Sequence, residues 1–456
     1  MSNFEFRAYC IISKTKHHIM RKTRLSTEGI IASLALLLTA ACSPAPQTYG
    51  PLPTEDQLKW ADMEYYMFCH FGPNTFSGLQ WGLGDENPDI FNPSELDCEQ
   101  WVRTAKEAGM KGIILTAKHH DGFCLWPSAY SDHTVAQSSW LDGKGDVVKE
   151  LRKACDKYDF PMGVYISPWD RNHPSYGTDE YNQVFANTIA EVHQNYGPFF
   201  EQWFDGANGG AHVPAYDWPL FHKAVYDNSP HAVIFSDVGP GCRWIGNESG
   251  WAGETNWCRL DVEGFEPGKN APATKILNEG QPDGAEWIPG EVDVPIRADW
   301  FYNTTNESTL KSVDDLMDIW FSSVGRGCNL ILNVTPDQRG LLPQADSIRL
   351  MEFKAARDAY FAKKLASCRN KGGNVTLKVK EPCKCIVLQE DIKYGQKIKA
   401  FTVEAIVAGE WQKVAEGTTI GHKRILPFDA SVDASKIRVT VTDSFAEPML
   451  KSVTVY

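Results

Sequence analysis

The feature that most constrains the fold is a regular alternation of short apolar runs with longer amphipathic runs over residues 60–362. The short runs are typical of buried β-strands, and the longer runs carry apolar residues at helical spacing. Repeated βα units of this kind predict a parallel sheet covered by helices. The clear strands leave room for two more, which favours a (β/α)8 TIM-like barrel. Strands are predicted at 66–71, 112–117, 162–166, 199–204, 232–236 and 329–334.

A doubly wound open sheet is the alternative α/β fold. It is less favoured because no apolar run is followed by a GxGxxG motif or a P-loop. The stretch 240–300 holds nine Gly and six Pro with little periodicity. We therefore predict a long loop there, where barrel proteins concentrate functional residues.

After Lys364 the apolar pattern changes to a period of two, with turn residues between the alternating segments. This pattern predicts a β-sandwich. We expect three parts in the chain: a signal segment and tether at 1–47, a catalytic barrel at 48–364 and a β-sandwich domain at 365–456.

The N-terminal segment resembles an export signal rather than a folded element. Basic residues at 21–24 precede an apolar run at 30–41, which is too short for a stable membrane span. Small residues stand directly before Cys42, as at a bacterial lipoprotein cleavage site. We expect Met20 to be the natural start and Cys42 to be lipidated, in an exported bacterial protein of the periplasm or outer membrane.

Composition narrows the class of partner. A formal net charge of −13 disfavours nucleic acid, whose phosphates the surface would repel. The 22 Phe, 16 Tyr and 15 Trp provide flat apolar faces on which sugar rings can rest. The cysteines show no CxxC pair and no Cys/His spacing of a zinc site, so we predict no metal and no cofactor.

Catalytic groups of a (β/α)8 barrel lie at the carboxyl ends of its strands, so polar residues that end apolar runs are the candidates. Asp205 differs from a helix-capping Asp because a Gly-rich segment follows it and leaves room for a ligand. The adjacent His119 and His120 favour hydrogen bonds to a polyol over metal coordination, since neighbours in a strand point to opposite sides. The other residues at strand ends are His70, Lys118, Asp121, Ser167, Trp169, Asp170, Asp237 and Asn333.

Five segments occur in one order along the chain: FCHFG at 68–72, KHHDGFCLWPS at 118–128, GVYIS at 163–167, WFDGA at 203–207 and GNESG at 246–250. Together they resemble glycoside hydrolase family 29, the retaining α-L-fucosidases. The resemblance spans about residues 55–365 and implies that fucosylated oligosaccharides or glycoconjugates are the substrates. It also implies that Asp205 is the nucleophile and that His70, His119, His120, Tyr165 and Trp203 line the fucose pocket.

One motif departs from that family. Gln80 stands in the sequence Gln80-Trp81-Gly82, where such enzymes usually have Glu-Trp-Gly. We expect Gln80 and Trp81 to contact the substrate, although a neutral amide forms weaker hydrogen bonds than a carboxylate. The segments 289–297 and 300–302 look like those of the subgroup selective for α-1,3/1,4-linked fucose.

Retaining hydrolysis needs a second carboxyl group about 5–5.5 Å from the nucleophile. Glu248 is the first candidate for the acid/base, because Gly246 and Gly250 flank it and its distance along the chain from Asp205 resembles that in the family. Glu291 is the second candidate. Glu254 is expected to be a solvated loop residue.

We therefore expect a retaining exo-glycosidase that removes terminal α-L-fucose, with a preference for α-1,3/1,4 linkages. One alternative is a retaining exo-glycosidase for a related sugar, suggested by Gln80. Another is a non-catalytic glycan-binding lipoprotein. In either case we expect contact with the membrane only through the lipid at Cys42.

Overall fold

The computed structural model describes residues 46–209 and 215–456. The expectations on the signal segment, on Met20 and on Cys42 lie outside these residues. Within them, no helix is long and apolar enough to cross a membrane.

Eight parallel strands close into a barrel, which confirms the predicted fold class. The last barrel strand pairs with the first, so the sheet has no free edge. The barrel strands are β1 (Tyr65–Cys69), β2 (Ile113–Lys118), β3 (Met162–Ile166), β4 (Glu201–Trp203), β5 (Val233–Ser236), β6 (Cys242–Trp244), β9 (Gly290–Pro295) and β10 (Asn329–Asn333), and a short antiparallel pair, β7 (Arg259–Leu260) and β8 (Glu286–Trp287), lies between β6 and β9 in the chain.

The barrel strands are buried on both faces, which is why most of them are continuous apolar runs. In β1, Tyr66 and Phe68 belong to an aromatic cluster inside the barrel. The alternate residues Tyr65 and Met67 belong to the core between the strands and the surrounding helices. The inner cluster forms the floor on which the site is built.

The helices surround the barrel, and most of the predicted helical runs are found. Several helices begin at an Asp whose side chain accepts a backbone N–H, as Asp97 does from Gln100 at 2.9 Å and Asp146 from Lys149 at 2.9 Å. The helices are α1 (Glu55–Met63), α2 (Pro73–Ser77), α3 (Cys98–Glu107), α4 (Val147–Tyr158), α5 (Glu180–Tyr196), α6 (Trp218–Tyr226), α7 (Thr274–Glu279), α8 (Val313–Ser322) and α9 (Gln344–Tyr360), with short 3₁₀ turns at Pro88–Ile90, Val135–Gln137, Trp140–Gly143, Thr304–Thr309 and Ile392–Tyr394.

The prediction of one long loop at 240–300 is wrong, because this stretch supplies the two barrel strands that were not recognised, β6 and β9. β9 alternates Glu291 and Asp293 with Val292 and Val294. The two valines pack in the outer core, whereas the two carboxyls hydrogen-bond to aromatic side chains of the barrel interior. A strand whose inward residues are acidic lacks the apolar run by which the other strands were identified.

The C-terminal part is a β-sandwich of two four-stranded antiparallel sheets, as predicted. Its core contains Ile386, Leu388, Phe401, Val403 and Val453. One sheet has the order β11 (Ala366–Lys371), β18 (Leu450–Val455), β13 (Cys383–Glu390) and β16 (Arg424–Val432), and the other has the order β12 (Asn374–Lys378), β17 (Lys436–Ser444), β14 (Ile398–Val407) and β15 (Glu410–Gly417).

The sandwich is hydrogen-bonded to the segment that follows β6. The Gln396 Oε1 accepts from the Cys258 N–H at 2.7 Å, and its Nε2 donates to the Asn256 carbonyl at 2.8 Å. The Arg424 guanidinium donates to the Glu254 carbonyl at 2.7 Å. The sandwich therefore fixes part of the long connection between β6 and β9, on which Glu248 also lies.

Candidate active site

A cavity at the carboxyl ends of the barrel strands brings together most of the predicted site residues. Of those residues, Tyr165 and Glu291 are the two that do not line it. Residues of β1, β4 and β9 and of the loops that follow β1, β2, β4, β6 and β9 meet here because barrel closure brings the strand ends together. The lining residues are Phe68, His70, Gln80, Trp81, His119, His120, Trp203, Asp205, Ala207, Glu248, Asp293 and Trp300.

Asp205 follows β4, and a hydrogen bond to each carboxylate oxygen fixes the orientation of its side chain. The Tyr165 hydroxyl donates to Oδ2 at 2.9 Å, and the Ala207 N–H donates to Oδ1 at 2.7 Å. Burial raises the pKa of the Asp205 carboxyl, and these two hydrogen bonds oppose the rise. Because the side chain keeps 24% of its surface exposed, an oxygen is accessible to a ligand in the cavity.

Three imidazoles stand beside this carboxylate. The His120 Nε2 lies 3.7 Å from Asp205 Oδ2, and the His119 and His120 ring centroids lie 4.0 Å apart. Burial lowers the pKa of His70 and of His120 to about 3, and that of His119 further below the ordinary value. All three rings are therefore neutral near pH 7, when each can donate one hydrogen bond and accept another.

The floor of the cavity is a stack of aromatic rings. The Trp203 indole lies on Phe235 at 3.8 Å between centroids and 9° between planes, and Tyr165 lies 5.4 Å from it on the other side. The Trp203 Nε1 donates to Glu291 at 2.9 Å. Packing and a hydrogen bond thus fix the indole plane.

Glu248 lies on the exposed rim of the cavity, in the loop after β6. The Trp300 indole Nε1 donates to its Oε2 at 3.1 Å. Partial burial raises the pKa of Glu248, and the negative charge of Asp205 raises it further. A carboxyl group with a raised pKa is suited to donate a proton near neutral pH.

Glu291, the second candidate for the acid/base, lies in the barrel interior below Trp203. Its carboxyl is completely buried and is hydrogen-bonded to Tyr66 as well as to Trp203. The Tyr66 hydroxyl donates its one proton to Glu201 at 3.0 Å, so its bond with Glu291 is one in which a protonated Glu291 donates. Burial raises the pKa of both carboxyls, and the charge of Glu291 raises that of Glu201 further. This placement favours Glu248 over Glu291, because a bound sugar would be separated from Glu291 by the indole.

Glu254, the third acidic residue of that region, lies at the junction with the sandwich. Its side chain is 79% exposed and pairs with Arg326 at 3.6 Å. It does not line the cavity.

Gln80 contacts the cavity differently from what the sequence suggested. Its Oε1 accepts the backbone N–H groups of Trp300 at 2.9 Å and of Phe301 at 3.0 Å. The oxygen is therefore used by the protein, and only the amide Nε2 remains for a sugar hydroxyl. The side chain connects the loop after β1 with the loop that carries Trp300.

Trp300 is held from a second side by Asn333, at the end of β10. The Asn333 Nδ2 donates to the Trp300 carbonyl at 2.8 Å, and its Oδ1 lies 2.9 Å from the His70 Nδ1. Since that oxygen is an acceptor, His70 carries its proton on Nδ1 and leaves Nε2 as an acceptor for a ligand.

Trp81, which lines the cavity, and the tryptophans of the connection between β6 and β9 differ in exposure. Trp81 is 54% exposed and Trp251 is 45% exposed, whereas Trp257 and Trp287 are each only 5% exposed. The two buried residues cannot contact a glycan. Trp251 is three residues from Glu248, and the Asn247 Nδ2 donates to its carbonyl at 2.9 Å to close the loop.

Several polar residues at strand ends support the fold. Lys118 and Asp170 form a buried ion pair at 3.1 Å, and the Asp237 Oδ2 accepts the Gly268 N–H at 2.9 Å. None of the three lines the cavity.

Four lining residues are not among the predicted site residues: Phe68, Ala207, Asp293 and Trp300. The signal for Asp293 was the alternation of carboxyl and valine in Glu291-Val292-Asp293-Val294, which marks one face of a strand. No local pattern indicated the contact of Trp300.

In the described part of the chain, two groups each bring the potential metal-ligand atoms of three side chains within 4.8 Å of one another: His119, His120 and Asp205, and Glu201, Cys242 and Glu291. In the first group, Tyr165 and Ala207 already donate to the carboxylate. In the second, indole and phenol groups donate to the carboxyls. The absence of a metal and of a cofactor stays a prediction.

The chain is similar to known proteins in both sequence and structure. Residues 47–355 match the family model described as Alpha-L-fucosidase. The chain is 37% identical over 472 residues to Alpha-L-fucosidase 1 of Arabidopsis thaliana, which covers 95% of this chain and 92% of the relative.

Solved structures of glycoside hydrolase family 29 are also similar. A member of this family from an unknown rumen bacterium has a TM-score of 0.84 and 41% identity, over 90% of this chain and 78% of that chain. A fucosidase of the same family from Ruminococcus gnavus, in complex with fucose, has a TM-score of 0.81 and 30% identity, over 90% of this chain and 96% of that chain. Both alignments extend beyond the barrel.

The two hydrogen bonds accepted by Gln80 lead to a prediction about the Trp300 loop. In Gln80→Leu the Trp300 and Phe301 amides lose their acceptor, so we expect their hydrogen exchange to accelerate roughly tenfold or more. Gln80→Glu keeps an oxygen acceptor and should preserve their protection. Exchange measured by mass spectrometry on peptides covering 298–303 tests this.

Gln183→Leu is the matched control, because Gln183 lies on α5 and bonds to Asn187 at 2.9 Å, away from this loop. It should leave exchange at 298–303 unchanged. Unchanged exchange in Gln80→Leu would show that the side chain does not hold the loop.

Proposed function

Because the chain belongs to the α-L-fucosidase family and is an α-L-fucosidase, we propose that it releases terminal fucose with retention of configuration through a covalent glycosyl-enzyme intermediate. The observation that carries the proposal is that two carboxyl groups, those of Asp205 and Glu248, line one cavity. Double displacement needs one carboxylate as the nucleophile and a second carboxyl as the acid and then the base.

Asp205 is the proposed nucleophile. The hydrogen bonds from Tyr165 and Ala207 stabilise its ionised form and direct its oxygens. One oxygen attacks the anomeric carbon, and the bond from that carbon to the glycosidic oxygen breaks. Burial raises the pKa of Tyr165 well above its ordinary value, so the phenol stays protonated and continues to donate.

Glu248 is the proposed acid/base. In the first step it gives its proton to the departing glycosidic oxygen, and in the second it takes a proton from the water that attacks the intermediate. The charge of Asp205 raises the pKa of Glu248 before the reaction. This effect disappears when Asp205 becomes an ester, so the Glu248 pKa falls as its role changes from acid to base.

The neutral imidazoles and the indole floor are the proposed sugar-binding surface. The His70 Nε2 can accept from a hydroxyl group, His119 and His120 can each donate or accept, and Trp203 offers an apolar face to the ring carbons. Gln80 adds its amide, and Trp81 adds an exposed indole at the rim. Membership of a hydrolase family removes the alternative of a non-catalytic glycan-binding protein.

We also propose the preference for α-1,3/1,4-linked fucose that the sequence suggested. The segment 289–297 includes β9 inside the barrel, so its backbone is too deep to contact sugars beyond the fucose. Such sugars would leave the cavity past Glu248, where Trp251 is exposed. An indole in that place can stack on a second sugar ring and orient the bond to be cleaved.

Export and lipid attachment at Cys42 remain proposals supported by the sequence pattern before that residue. They place the enzyme in the periplasm or on the outer membrane of a bacterium.

The nucleophile and the acid/base can be told apart by the anomer of fucosyl azide that each variant forms. In Glu248→Ala the glycosyl-enzyme still forms from an activated aryl α-L-fucoside, and azide should attack it to give the α-fucosyl azide. In Asp205→Gly azide fills the place of the missing carboxylate and should give the β-fucosyl azide. Without azide we expect kcat on poor leaving groups to fall by about 10²–10⁴ in Glu248→Ala. NMR identifies the anomers.

Glu254→Ala is the control for loss of an acidic side chain in the same region. This variant should hydrolyse the aryl α-L-fucoside at the wild-type rate. Glu291→Gln should give no azide product. An α-azide from Glu291→Gln, together with ordinary turnover by Glu248→Ala, would transfer the acid/base role to Glu291.

The linkage proposal predicts different rates on three substrates. We expect a branched α-1,3/1,4-fucosylated N-acetyllactosamine to have a higher kcat/KM than an aryl α-fucoside or an α-1,2-linked fucose, because contacts beyond the fucose orient the bond. Trp251→Ala should reduce kcat/KM for the branched substrate roughly tenfold and leave that of the aryl fucoside little changed.

Trp411→Ala, which removes an exposed indole on the sandwich strand β15, is the control and should affect no substrate. Equal kcat/KM values on all three substrates, or a preference for the α-1,2 linkage, would contradict the proposed linkage and leave the family unaffected.

The proposal for Cys42 is tested on the mature protein made in a bacterial host that processes lipoproteins. Mass spectrometry should show a chain that begins at Cys42 and carries acyl groups. An intact Met1 or an unmodified cleaved terminus would refute it.

A further inference from the structure

The cavity contains a third carboxyl group that the mechanism does not use. Asp293 lines the cavity with Asp205 and Glu248, yet only 2% of its surface is exposed. It comes from β9, in the register opposite Ile331 of β10, so the barrel wall fixes its backbone. A carboxyl group buried in the wall of a sugar-binding cavity is costly unless it is paired or neutral.

The contacts of Asp293 leave one oxygen free. The Trp244 indole Nε1 donates to Oδ1 at 2.9 Å. Among the described residues no other side chain donates to this carboxyl, and no Lys, Arg or His forms an ion pair with it. The Oδ2 is therefore left for a ligand in the cavity.

The surroundings of Asp293 also determine its protonation. Burial raises the pKa of its carboxyl well above the ordinary value, and the charges of Glu248 and Glu291 raise it further. A protonated carboxyl has an O–H that can donate, while the other oxygen accepts from Trp244. By contrast, the single N–H of His70 is donated to Asn333, and His119 and His120 can each offer at most one N–H.

We propose that Asp293 is a further sugar-binding residue, which donates a hydrogen bond from its Oδ2–H to one ring hydroxyl group of the bound sugar. The inference rests on the proposed function, because the ligand is the fucose that occupies this cavity. Asp293 forms no bond with the anomeric carbon and transfers no proton, so it is a specificity-determining residue.

The test is calorimetric binding of four probes, L-fucose and its 2-, 3- and 4-deoxy analogues, to the wild-type protein, Asp293→Asn and Asp293→Ala. Asn keeps an oxygen for Trp244 and an N–H for the sugar, so L-fucose affinity should stay within about threefold. Asp293→Ala should weaken L-fucose binding roughly tenfold. For one of the deoxy sugars, which lacks the partner hydroxyl, the same substitution should cause little further loss.

Asp237→Ala is the control, because this carboxyl also lies at a strand end but outside the cavity lining. Any loss that it causes should be the same for all four sugars. A uniform loss in Asp293→Ala would show a structural role alone, and a loss in Asp293→Asn as large as that in Asp293→Ala would show that an ionised carboxylate is required. Either result overturns the inference.

Binding does not need turnover, so a wrong assignment of Asp205 or Glu248 would change the azide products and leave these affinities readable. If the wild-type protein binds none of the four sugars, the sugar-binding cavity itself is contradicted, and with it both the proposed function and this inference.

Discussion

Closure of the barrel between β1 and β10 is the constraint on which the rest of the structure depends. It brings His70, at the end of β1, beside Asn333, at the end of β10, although 263 residues separate them in the chain. It also encloses the aromatic cluster that supports Trp203. An open sheet would leave these strands at opposite edges, and no single cavity could form from their ends.

The rim of the cavity depends on hydrogen bonds between loops. Gln80 accepts both backbone N–H groups of the Trp300 turn, Asn333 donates to its carbonyl, and the Trp300 indole donates to Glu248. A loop carboxyl is more mobile than one on a strand, so a fixed indole restricts the orientations of Glu248. The departure from the family motif at Gln80 thus affects Glu248, the proposed acid/base, through Trp300.

Three carboxyl groups are buried in the barrel interior, and each accepts a hydrogen bond from an indole N–H. Glu201 accepts from Trp60 at 2.8 Å, Glu291 accepts from Trp203, and Asp293 accepts from Trp244. Because neutral donors cannot offset a full negative charge, burial favours the protonated forms. This arrangement fixes the three indoles in the barrel interior, where Trp203 lines the cavity. Asp205, with a backbone donor and access to solvent, is the carboxylate suited to ionise.

The sequence by itself determined the βα repeat, the change to a sandwich after Lys364 and the candidates at strand ends, because backbone periodicity and strand-end chemistry are local properties. It did not reveal β9, whose inward residues are Glu291 and Asp293, since a buried acidic face lacks the apolar pattern. Nor did it show that Gln80 holds a loop 220 residues away, or that Glu291 lies beneath Trp203. Those contacts join residues distant in the chain, so only the closed barrel decided which side chains meet and which carboxyls reach the cavity.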